Sequence, residues 1–175
     1  MGKLILILGG ARSGKSGFAI AQAKKLSSGQ SGVAYVATAF AVDEEMLRRI
    51  DRHRKRRPAS WKTIEERVDI SKILAKLKNV SIVIIDCLTI LISNLLLSGE
   101  KERAILKKIK ELFRTLKKRN LTTLIVSNEV GMGIVPDNRL GRSFRDIAGQ
   151  SNQIVAKLAD EVYLLEAGIP LKIKG

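Results

Sequence analysis

The sequence predicts an α/β fold in which a mostly parallel central sheet is covered by helices on both faces. Segments of strand length alternate with segments whose apolar residues recur at helical spacing. Most of the predicted strands are continuous apolar runs, which is typical of parallel strands because both of their faces are buried. A length of 175 residues and an apolar fraction of 45% fit one domain, residues 1–175, with a substantial core.

The N-terminal elements follow from local sequence patterns. Lys3–Leu8 is an apolar run that ends at two glycines, and it predicts the first strand. Lys15–Leu26 repeats apolar residues at helical spacing, and Val33–Thr38 is rich in the residues of a buried strand. Asp43–Arg57 begins with acidic and ends with basic residues, which suits a helix dipole, and Pro58 ends this helix.

The middle of the chain contains its most apolar window, Ile82–Leu97. This window is shorter than the roughly 20 residues of a membrane-spanning helix and contains Asp86, so it predicts a buried strand, a turn and the start of a helix. The strand itself is predicted over Val80–Ile85. Before it, Lys62–Glu65 is a candidate short strand and Ile70–Leu77 a short helix.

The C-terminal part of the chain is predicted to be two helices and three strands. The helix over residues 100–119 is strongly amphipathic, with one apolar face at helical spacing. The predicted elements are a helix over Glu100–Arg119, a strand over Leu121–Ser127, a helix over Arg142–Ala159, a strand over Glu161–Leu165, and a hairpin through Gly168–Pro170 to Leu171–Ile173.

The charge balance is strongly basic, with 32 Lys and Arg against 17 Asp and Glu and a formal net charge of +15. A basic surface can attract nucleic acid, a membrane face or anionic small molecules, or it can be a solvated surface of the kind found in heat-adapted proteins. We favour a solvated surface combined with an anionic substrate. Because aromatic residues are only 4% of the chain, few rings can stack on bases, and no nucleic-acid partner is predicted.

Cysteine content and the N-terminal segment bear on the compartment. The single Cys87 excludes a disulfide within the chain and indicates a reducing compartment. The apolar run near the N-terminus is too short for a signal peptide, and no membrane span is predicted. We therefore expect a cytoplasmic protein.

A glycine-rich loop lies between the first predicted strand and the first predicted helix. Its Gly-x4-Gly-Lys-Ser pattern is that of a P-loop, in which backbone amides and the helix N-terminus attract phosphate. The flanking strand and helix argue against an accidental glycine-rich turn. We expect Lys15 to reach the outer phosphates and the Ser16 hydroxyl to bind Mg²⁺. The predicted loop residues are Gly9, Gly10, Ala11, Arg12, Ser13, Gly14, Lys15 and Ser16.

Asp86 follows the apolar strand over residues 80–85, in the position of a Walker B carboxylate. Such an acid holds Mg²⁺ directly or through water. The alternative is an aspartate that caps the next helix, and both roles are compatible. We favour the metal role because a P-loop needs an acidic partner.

His53 is the only histidine and lies within a strongly basic segment. A surface histidine on a basic helix is the simplest interpretation. However, neighbouring cations disfavour a further positive charge on imidazole, a neutral imidazole is a nucleophile, and the same cations would stabilise a phosphate bound to it. A covalent phosphohistidine-type intermediate is therefore a second interpretation, and composition leaves both open.

Taken together, the motifs resemble the bifunctional adenosylcobinamide kinase/adenosylcobinamide-phosphate guanylyltransferase family of vitamin B12 biosynthesis. The resemblance covers almost the whole chain, and its most specific part is SNEVGMGIVPDNRLGRSFRDIAGQSNQIVAKLADEV. The segments that carry it are Gly9–Ser16 (GGARSGKS), Tyr35–Ala39 (YVATA), Asp43–Glu66 (DEEMLRRIDRH to RRPASWKTIEE), Asp86–Leu96 (DCLTILISNLL) and Ser127–Val162.

This resemblance implies a RecA-like P-loop domain that uses ATP or GTP, with Mg²⁺, to phosphorylate adenosylcobinamide. It then implies transfer of GMP from GTP to a histidine, which corresponds to His53, and onward to give adenosylcobinamide-GDP. It also implies a homotrimer with sites near subunit boundaries. Where the family has a histidine before Trp61, this chain has Ser60. The implied nucleotide contacts, beyond the loop, are Thr38, Ala39, Phe40, Arg54, Lys55, Arg56, Arg57, Glu65 and Asp86.

Two segments near the C-terminal side of the predicted sheet are further candidates. Asn128–Gly131 and Asn138–Arg142 follow a buried strand, where ligands of parallel sheets gather, or they pack on a neighbouring subunit. Arg142, Arg145 and Asp146 are candidates for holding a substrate or a partner chain. Two other functions stay possible from the residues alone: a RecA-like ATPase that acts on nucleic acid, and a nucleotide-dependent interaction switch.

Overall fold

The computed structural model describes residues 2–27, 32–41 and 43–175. Strands and helices alternate along most of this part of the chain, as predicted. The strands are β1 Leu4–Gly9, β2 Val33–Ala37, β3 Lys62–Glu65, β4 Ile82–Asp86, β5 Thr122–Val126, β6 Glu161–Glu166 and β7 Ile169–Lys174. The helices are α1 Lys15–Ser27, α2 Glu44–Lys55, α3 Ile70–Lys76, α4 Leu88–Leu97, α5 Glu102–Lys118 and α6 Arg139–Leu158.

The strands form one seven-stranded sheet in the order β3-β2-β4-β5-β1-β6-β7. Strands β1 to β6 pair in parallel, and β7 pairs antiparallel with β6, which confirms the predicted sheet and C-terminal hairpin. Strand β5 separates β1 from β4, and Val126 in β5 is in register with both Ile7 and Asp86. The segments that follow β1, β4 and β5 therefore emerge side by side at the carboxyl edge of the sheet.

Apolar side chains of the sheet alternate between two buried layers. On β4, Val83 and Ile85 join a core with α3 to α6, whereas Ile82 and Ile84 join a second core with α1. Trp61 packs partly buried against the second core. Both faces of the sheet are thus covered by helices, as the continuous apolar strands predicted.

Helix α4 is the apolar segment that follows β4, and most of its ten residues pack into the core next to α5 and α6. This confirms the interpretation of the apolar window as a strand, a turn and a helix. Among the described residues, no helix combines the length and the apolar content needed to cross a membrane.

Three helices begin at other residues than predicted, and the first of them, α2, begins at Glu44 rather than Asp43. Helix α5 begins at Glu102 rather than Glu100, and α6 begins at Arg139 rather than Arg142. The earlier start of α6 has a local cause, because the Asn138 side chain accepts a hydrogen bond of 2.7 Å from the Gly141 amide and caps the helix.

Candidate nucleotide and phosphotransfer site

The glycine-rich loop between β1 and α1 has a backbone that only some residues can adopt. Gly9 and Gly14 have positive φ values of 149° and 94°, and Arg12 between them has a φ of 58°. A Cβ atom on Gly9 would lie 2.4 Å from the Leu165 carbonyl oxygen of β6. The loop therefore passes too close to the neighbouring strand for a side chain at its first position.

Contacts with neighbouring strand ends brace this loop. The Glu129 amide, just beyond β5, donates to the Gly9 carbonyl at 3.0 Å. The Gly168 amide, in the β6–β7 turn, donates to the Ser13 carbonyl at 3.2 Å. At the helix end of the loop, the Phe18 amide donates to the Gly14 carbonyl at 3.0 Å as α1 begins. The predicted C-terminal hairpin thus has a role that its sequence did not indicate, which is to support the phosphate loop.

Lys15 lies buried within the loop. Its ammonium donates to the Gly10 carbonyl and, at 3.3 Å, to the Ser13 hydroxyl. Burial lowers the pKa of Lys15, and the nearby acidic groups of Cys87 and Asp86 oppose this effect. An amine held this way can exchange loop oxygens for the oxygens of a bound phosphate.

Asp86 stands at the carboxyl end of β4, and the Tyr35 phenol of β2 donates a hydrogen bond to its Oδ2. The Thr38 hydroxyl accepts from the Cys87 amide at 2.8 Å and donates to the Cys87 carbonyl at 2.9 Å. The N-cap position of α4 is Cys87, which makes no side-chain capping bond. The alternative that Asp86 caps the next helix is therefore wrong.

Ser16 and Asp86 offer a hydroxyl and a carboxylate, which are the hard oxygen ligands that Mg²⁺ prefers. Within residues 2–27, 32–41 and 43–175, no group of three or more His, Cys, Asp or Glu side chains could hold a metal ion. Mg²⁺ is usually bound by one or two protein oxygens together with nucleotide phosphates and water, and Ser16 and Asp86 supply two such oxygens. The donor chemistry thus agrees with the predicted ion.

Helix α2 carries His53 in its last turn. The Asp43 side chain caps the helix by accepting a hydrogen bond of 2.7 Å from the Met46 amide, and acidic residues occupy the first turn. Exposed ion pairs form between side chains of this same helix, for example between Lys55 and Asp51 at 2.7 Å. None of its described side chains is buried, and His53 is half-buried. The sequence prediction of a dipole-matched helix ending in a basic cluster is confirmed.

The segment after α2 folds back against the sheet. The Arg57 guanidinium lies 3.9 Å from the centroid of the Tyr35 ring, and the Trp61 amide donates to the Pro58 carbonyl at 3.1 Å. Because Tyr35 also donates to Asp86, the segment that follows the His53 helix and the Asp86 carboxylate contact the same side chain.

Phe40 and Glu65 line a common cavity of about 480 Å³ beside this edge. The Arg67 guanidinium lies 3.3 Å from the centroid of the Phe40 ring. The side-chain amide of Asn94 donates hydrogen bonds to the Thr38 and Arg67 carbonyls at 3.0 and 2.9 Å. The structure therefore brings together two of the implied nucleotide contacts that lie far apart in sequence. The lining residues are Phe40, Glu65, Glu66, Arg67, Val68, Asn94, Leu97 and Ser98.

The other implied contacts differ in what they already bind. Thr38 is buried and its hydroxyl is engaged by Cys87, whereas Arg54, Lys55 and Arg56 are exposed. Ala39 is half-buried next to the cavity residue Phe40. Their contacts with nucleotide stay predictions.

The candidate cluster after β5 is mostly engaged in ordering its own loop. Arg142 donates to the Pro136 and Asp137 carbonyls at 3.0 and 2.7 Å, and Arg145 pairs with Asp146 at 3.7 Å. Sequence reasoning missed the link between this cluster and the first turn of α4, which no local pattern signals. The Asn128 amide donates to the Thr89 hydroxyl at 2.9 Å, and that hydroxyl lies 3.1 Å from Cys87 Sγ.

Two solved structures share this fold at low sequence identity. A KaiC-like protein of Pyrococcus horikoshii superposes with a TM-score of 0.54 at 18% identity, covering 93% of this chain and 70% of that one. The flagellar accessory protein FlaH of Methanocaldococcus jannaschii gives a TM-score of 0.59 at 14% identity, with 98% and 78% covered. The fold is that of RecA-like P-loop proteins, as the sequence predicted.

Curated relatives match the chain over nearly its full length. The bifunctional adenosylcobalamin biosynthesis protein CobU of Escherichia coli is 40% identical, covering 98% of this chain and 99% of its own. The protein of the same name from Salmonella typhimurium is 43% identical with the same coverage, and CobP of Pseudomonas aeruginosa is 40% identical over 97% and 96%. The family model for cobinamide kinase / cobinamide phosphate guanyltransferase matches residues 5–173. The chain belongs to this family of bifunctional kinases and guanyltransferases.

Proposed function

We propose that this chain carries out both reactions of its family at one nucleotide site on the carboxyl edge of the sheet. The observation that supports a shared site is the position of Tyr35, which contacts Asp86 on one side and Arg57, four residues after His53, on the other. The phosphate loop follows β1, which lies two strands from the Asp86 strand β4, and it emerges at the same edge of the sheet. The predicted metal acid and the segment that follows the predicted nucleophile thus meet beside the loop.

In the kinase step, the loop holds the phosphates of ATP or GTP and the γ-phosphoryl group passes to the hydroxyl of adenosylcobinamide. The loop amides and Lys15 stabilise the negative charge that spreads over the phosphoryl oxygens. The oxygen of the hydroxyl forms the new bond to phosphorus and loses its proton to water, the bond to the β,γ-bridging oxygen breaks, and the nucleoside diphosphate leaves.

Ser16 and Asp86 are the residues that would hold Mg²⁺. When bound, the ion neutralises charge on the phosphates and helps to fix their orientation.

In the guanylyl step, the neutral imidazole of His53 forms a phosphorus–nitrogen bond with the α-phosphate of GTP, and pyrophosphate leaves. A phosphate oxygen of adenosylcobinamide phosphate then attacks the same phosphorus, the bond to nitrogen breaks, and adenosylcobinamide-GDP is released. The covalent intermediate divides the transfer into two displacements. Cations at Arg54 and Arg56, which are exposed beside His53, are suited to balance the phosphate charge.

The cavity lined by Phe40 and Glu65 is suited to the guanosine part of GTP. It offers an aromatic ring and carboxylates, and guanine presents N–H donors that a carboxylate accepts. This assignment agrees with the nucleotide contacts that the resemblance implies for both residues.

The test is intact mass after incubation with GTP and Mg²⁺. We expect one GMP unit to be added to the protein and to be released in acid but retained in alkali. Protonation of the imidazole nitrogen makes it a good leaving group, unlike the oxygen of a serine or threonine ester. Peptide mapping should place the group on His53.

Substitution of the nucleophile gives the matched control. His53→Asn keeps a polar side chain of similar size, and it should form no adduct and no adenosylcobinamide-GDP while it still phosphorylates adenosylcobinamide. GMP on another residue, or continued guanylyl transfer by this variant, would contradict the covalent route.

We further propose that the chain assembles as a homotrimer, as the resemblance implies. Support comes from the loop after β5, where Met132, Ile134 and Val135 are 86%, 96% and 58% exposed and would be covered by a second copy. Light scattering should give three times the chain mass of 19.3 kDa. Ile134→Lys should weaken the assembly, and a wild-type protein that stays at the single-chain mass would contradict it.

A further inference from the structure

Tyr35 is a buried phenol at the centre of the proposed site, and no pattern in the sequence assigns it a role. It is 1% exposed and lies on β2, in the layer of the sheet that faces α1. Strand β2 pairs with β4 so that Ala37 is opposite Asp86. Side chains two residues apart share a face of a strand, so Tyr35 and Asp86 lie on the same face.

The hydroxyl of Tyr35 can serve Asp86 only as a donor. The phenol O–H donates to Oδ2 of Asp86, because an ionised carboxylate has no proton to give and can only accept. This bond restricts rotation of the carboxylate and leaves its second oxygen for another ligand.

The ring of Tyr35 makes a second contact through its face. Arg57 lies 3.9 Å from the ring centroid, within the range of a cation–π interaction. Its Nε is buried and has no hydrogen-bond partner within the described part of the chain. Arg57 lies two residues after the end of the helix that carries His53, next to its C-cap residue Arg56.

We propose that Tyr35 is a positioning residue for both reactions: its hydroxyl orients the Asp86 carboxylate toward the metal, and its ring face seats the Arg57 end of the His53 segment. The proposal rests on the proposed role of Asp86 as a metal ligand. It implies that metal binding and the placement of the guanylyl segment depend on one side chain.

The first test is Tyr35→Phe, which removes the hydroxyl and keeps the ring. Mn²⁺ serves as the probe, and its binding to the protein with a non-hydrolysable GTP analogue is followed by the EPR signal of the free ion. A hydrogen bond to a charged group contributes enough for about a tenfold loss of Mn²⁺ affinity. Unchanged affinity would overturn the proposal.

Tyr163→Phe is the matched control, because Tyr163 is the only other tyrosine and its phenol also donates to a carboxylate, that of Glu161, at 2.6 Å. It should leave Mn²⁺ affinity within about twofold of wild type. An equal loss in both variants would show a general effect of removing a hydroxyl and would contradict a specific role for Tyr35.

Kinase kinetics separate positioning from general damage to the fold. In Tyr35→Phe, we expect the Mg²⁺ concentration at half-maximal rate to rise about tenfold, while the rate at saturating Mg²⁺ returns to near the wild-type value. A purely structural defect would lower the maximal rate without moving the Mg²⁺ dependence, and that result would overturn the proposal.

Asp86→Asn distinguishes failure of the metal assignment from failure of the Tyr35 assignment. If this variant binds Mn²⁺ as wild type does, the proposed metal role of Asp86 is wrong, and the Tyr35 proposal falls with it. If it loses Mn²⁺ affinity while Tyr35→Phe retains it, only the Tyr35 proposal is wrong.

The contact with Arg57 has its own reporter in Trp61, the single tryptophan, whose amide is bonded to Pro58. Tyr35→Phe keeps the ring face, so the Trp61 emission maximum should stay at the wild-type wavelength. Arg57→Ala should shift it. A shifted emission maximum in Tyr35→Phe, or an unshifted one in Arg57→Ala, would contradict the separate roles of the Tyr35 hydroxyl and the Tyr35 ring.

Discussion

The phosphate loop and helix α2 carry the two halves of the proposed chemistry, and the fold holds them in opposite ways. The loop follows a fully buried strand, is bonded to the segment after β5 and to the β6–β7 turn, and buries both Ser13 and Lys15. In α2, by contrast, no described side chain is buried. Its contacts include an N-cap, exposed ion pairs and the contact of Arg57 with Tyr35.

This difference indicates which half is rigid and which half can be displaced at small cost. Exposed ion pairs contribute about 0–1 kcal/mol each, so α2 is held mainly by local interactions, whereas displacing the loop would disrupt the core. A preformed phosphate site beside a weakly attached histidine segment suits the proposed chemistry, in which the γ-phosphorus reacts in the kinase step and the α-phosphorus in the guanylyl step.

The largest effect is expected for Lys15→Ala, because the loop serves every nucleotide-bound step. Loss of a preorganised charge should remove about 3 kcal/mol of transition-state stabilisation, so that kinase turnover and GMP adduct formation both fall by about a hundredfold or more. Turnover assays and intact mass measure the two losses. Lys24→Ala, on the exposed end of the same helix, is the control. Near-normal turnover of either reaction in Lys15→Ala would contradict a shared loop.

Gly9→Ala should destabilise the whole domain, which tests whether the loop belongs to the core. The added Cβ would lie 2.4 Å from the Leu165 carbonyl at a φ of +149°, so strands β1 and β6 must separate slightly. We expect a loss of about 3 kcal/mol and a Tm lower by about 10 °C in thermal unfolding.

Gly10→Ala is the matched control for stability, because its Cβ would meet no atom within 4 Å. Its Tm should stay within about 2 °C of wild type. Equal Tm values for the two variants would show that the loop is not constrained by the neighbouring strand.

The difference between the two regions also explains how much the sequence could predict. The loop, the buried strands and the carboxylate of Asp86 follow from patterns that are local in the chain, since a strand, glycines and a helix must follow one another for phosphate to bind. The contact of Tyr35 with Asp86 depends instead on which strands pair and in which register. That information is not contained in either segment alone.

Surface elements were predicted with less detail for a related reason. The limits of α2 were right to within two residues, because acidic and basic ends mark a helix without reference to the rest of the fold. The position of its last turn depends on two contacts that the helix sequence does not contain. One is the long-range contact of Arg57 with the Tyr35 ring, and the other is the backbone hydrogen bond to the Pro58 carbonyl in the turn that follows. The support of the loop by Gly168 is of the same kind.

The smallest effects are expected from removing one of two aspartate N-caps, which have the same chemistry but lie on different helices. Asp43 caps α2 by accepting from the Met46 amide at 2.7 Å, and Asp69 caps α3 by accepting from the Lys72 amide at 3.2 Å. Removing either cap by substitution with alanine should destabilise its helix by about 1 kcal/mol. The consequences should differ, because α3 buries two of its side chains in the core and α2 buries none of those described.

Asp69→Ala should therefore lower Tm by about 3 °C and leave both reaction rates unchanged, since the core transmits the loss to the whole domain. Asp43→Ala should leave Tm and kinase turnover unchanged and slow formation of the GMP adduct by up to about fivefold, since about 1 kcal/mol is lost only from the segment that carries His53. Thermal unfolding and time-resolved intact mass separate the two outcomes. If Asp43→Ala lowered Tm as much as Asp69→Ala does, α2 would be part of the cooperative core, and movement of the histidine segment between the two steps would have to be sought elsewhere, because a helix that unfolds only with the domain cannot be displaced by itself.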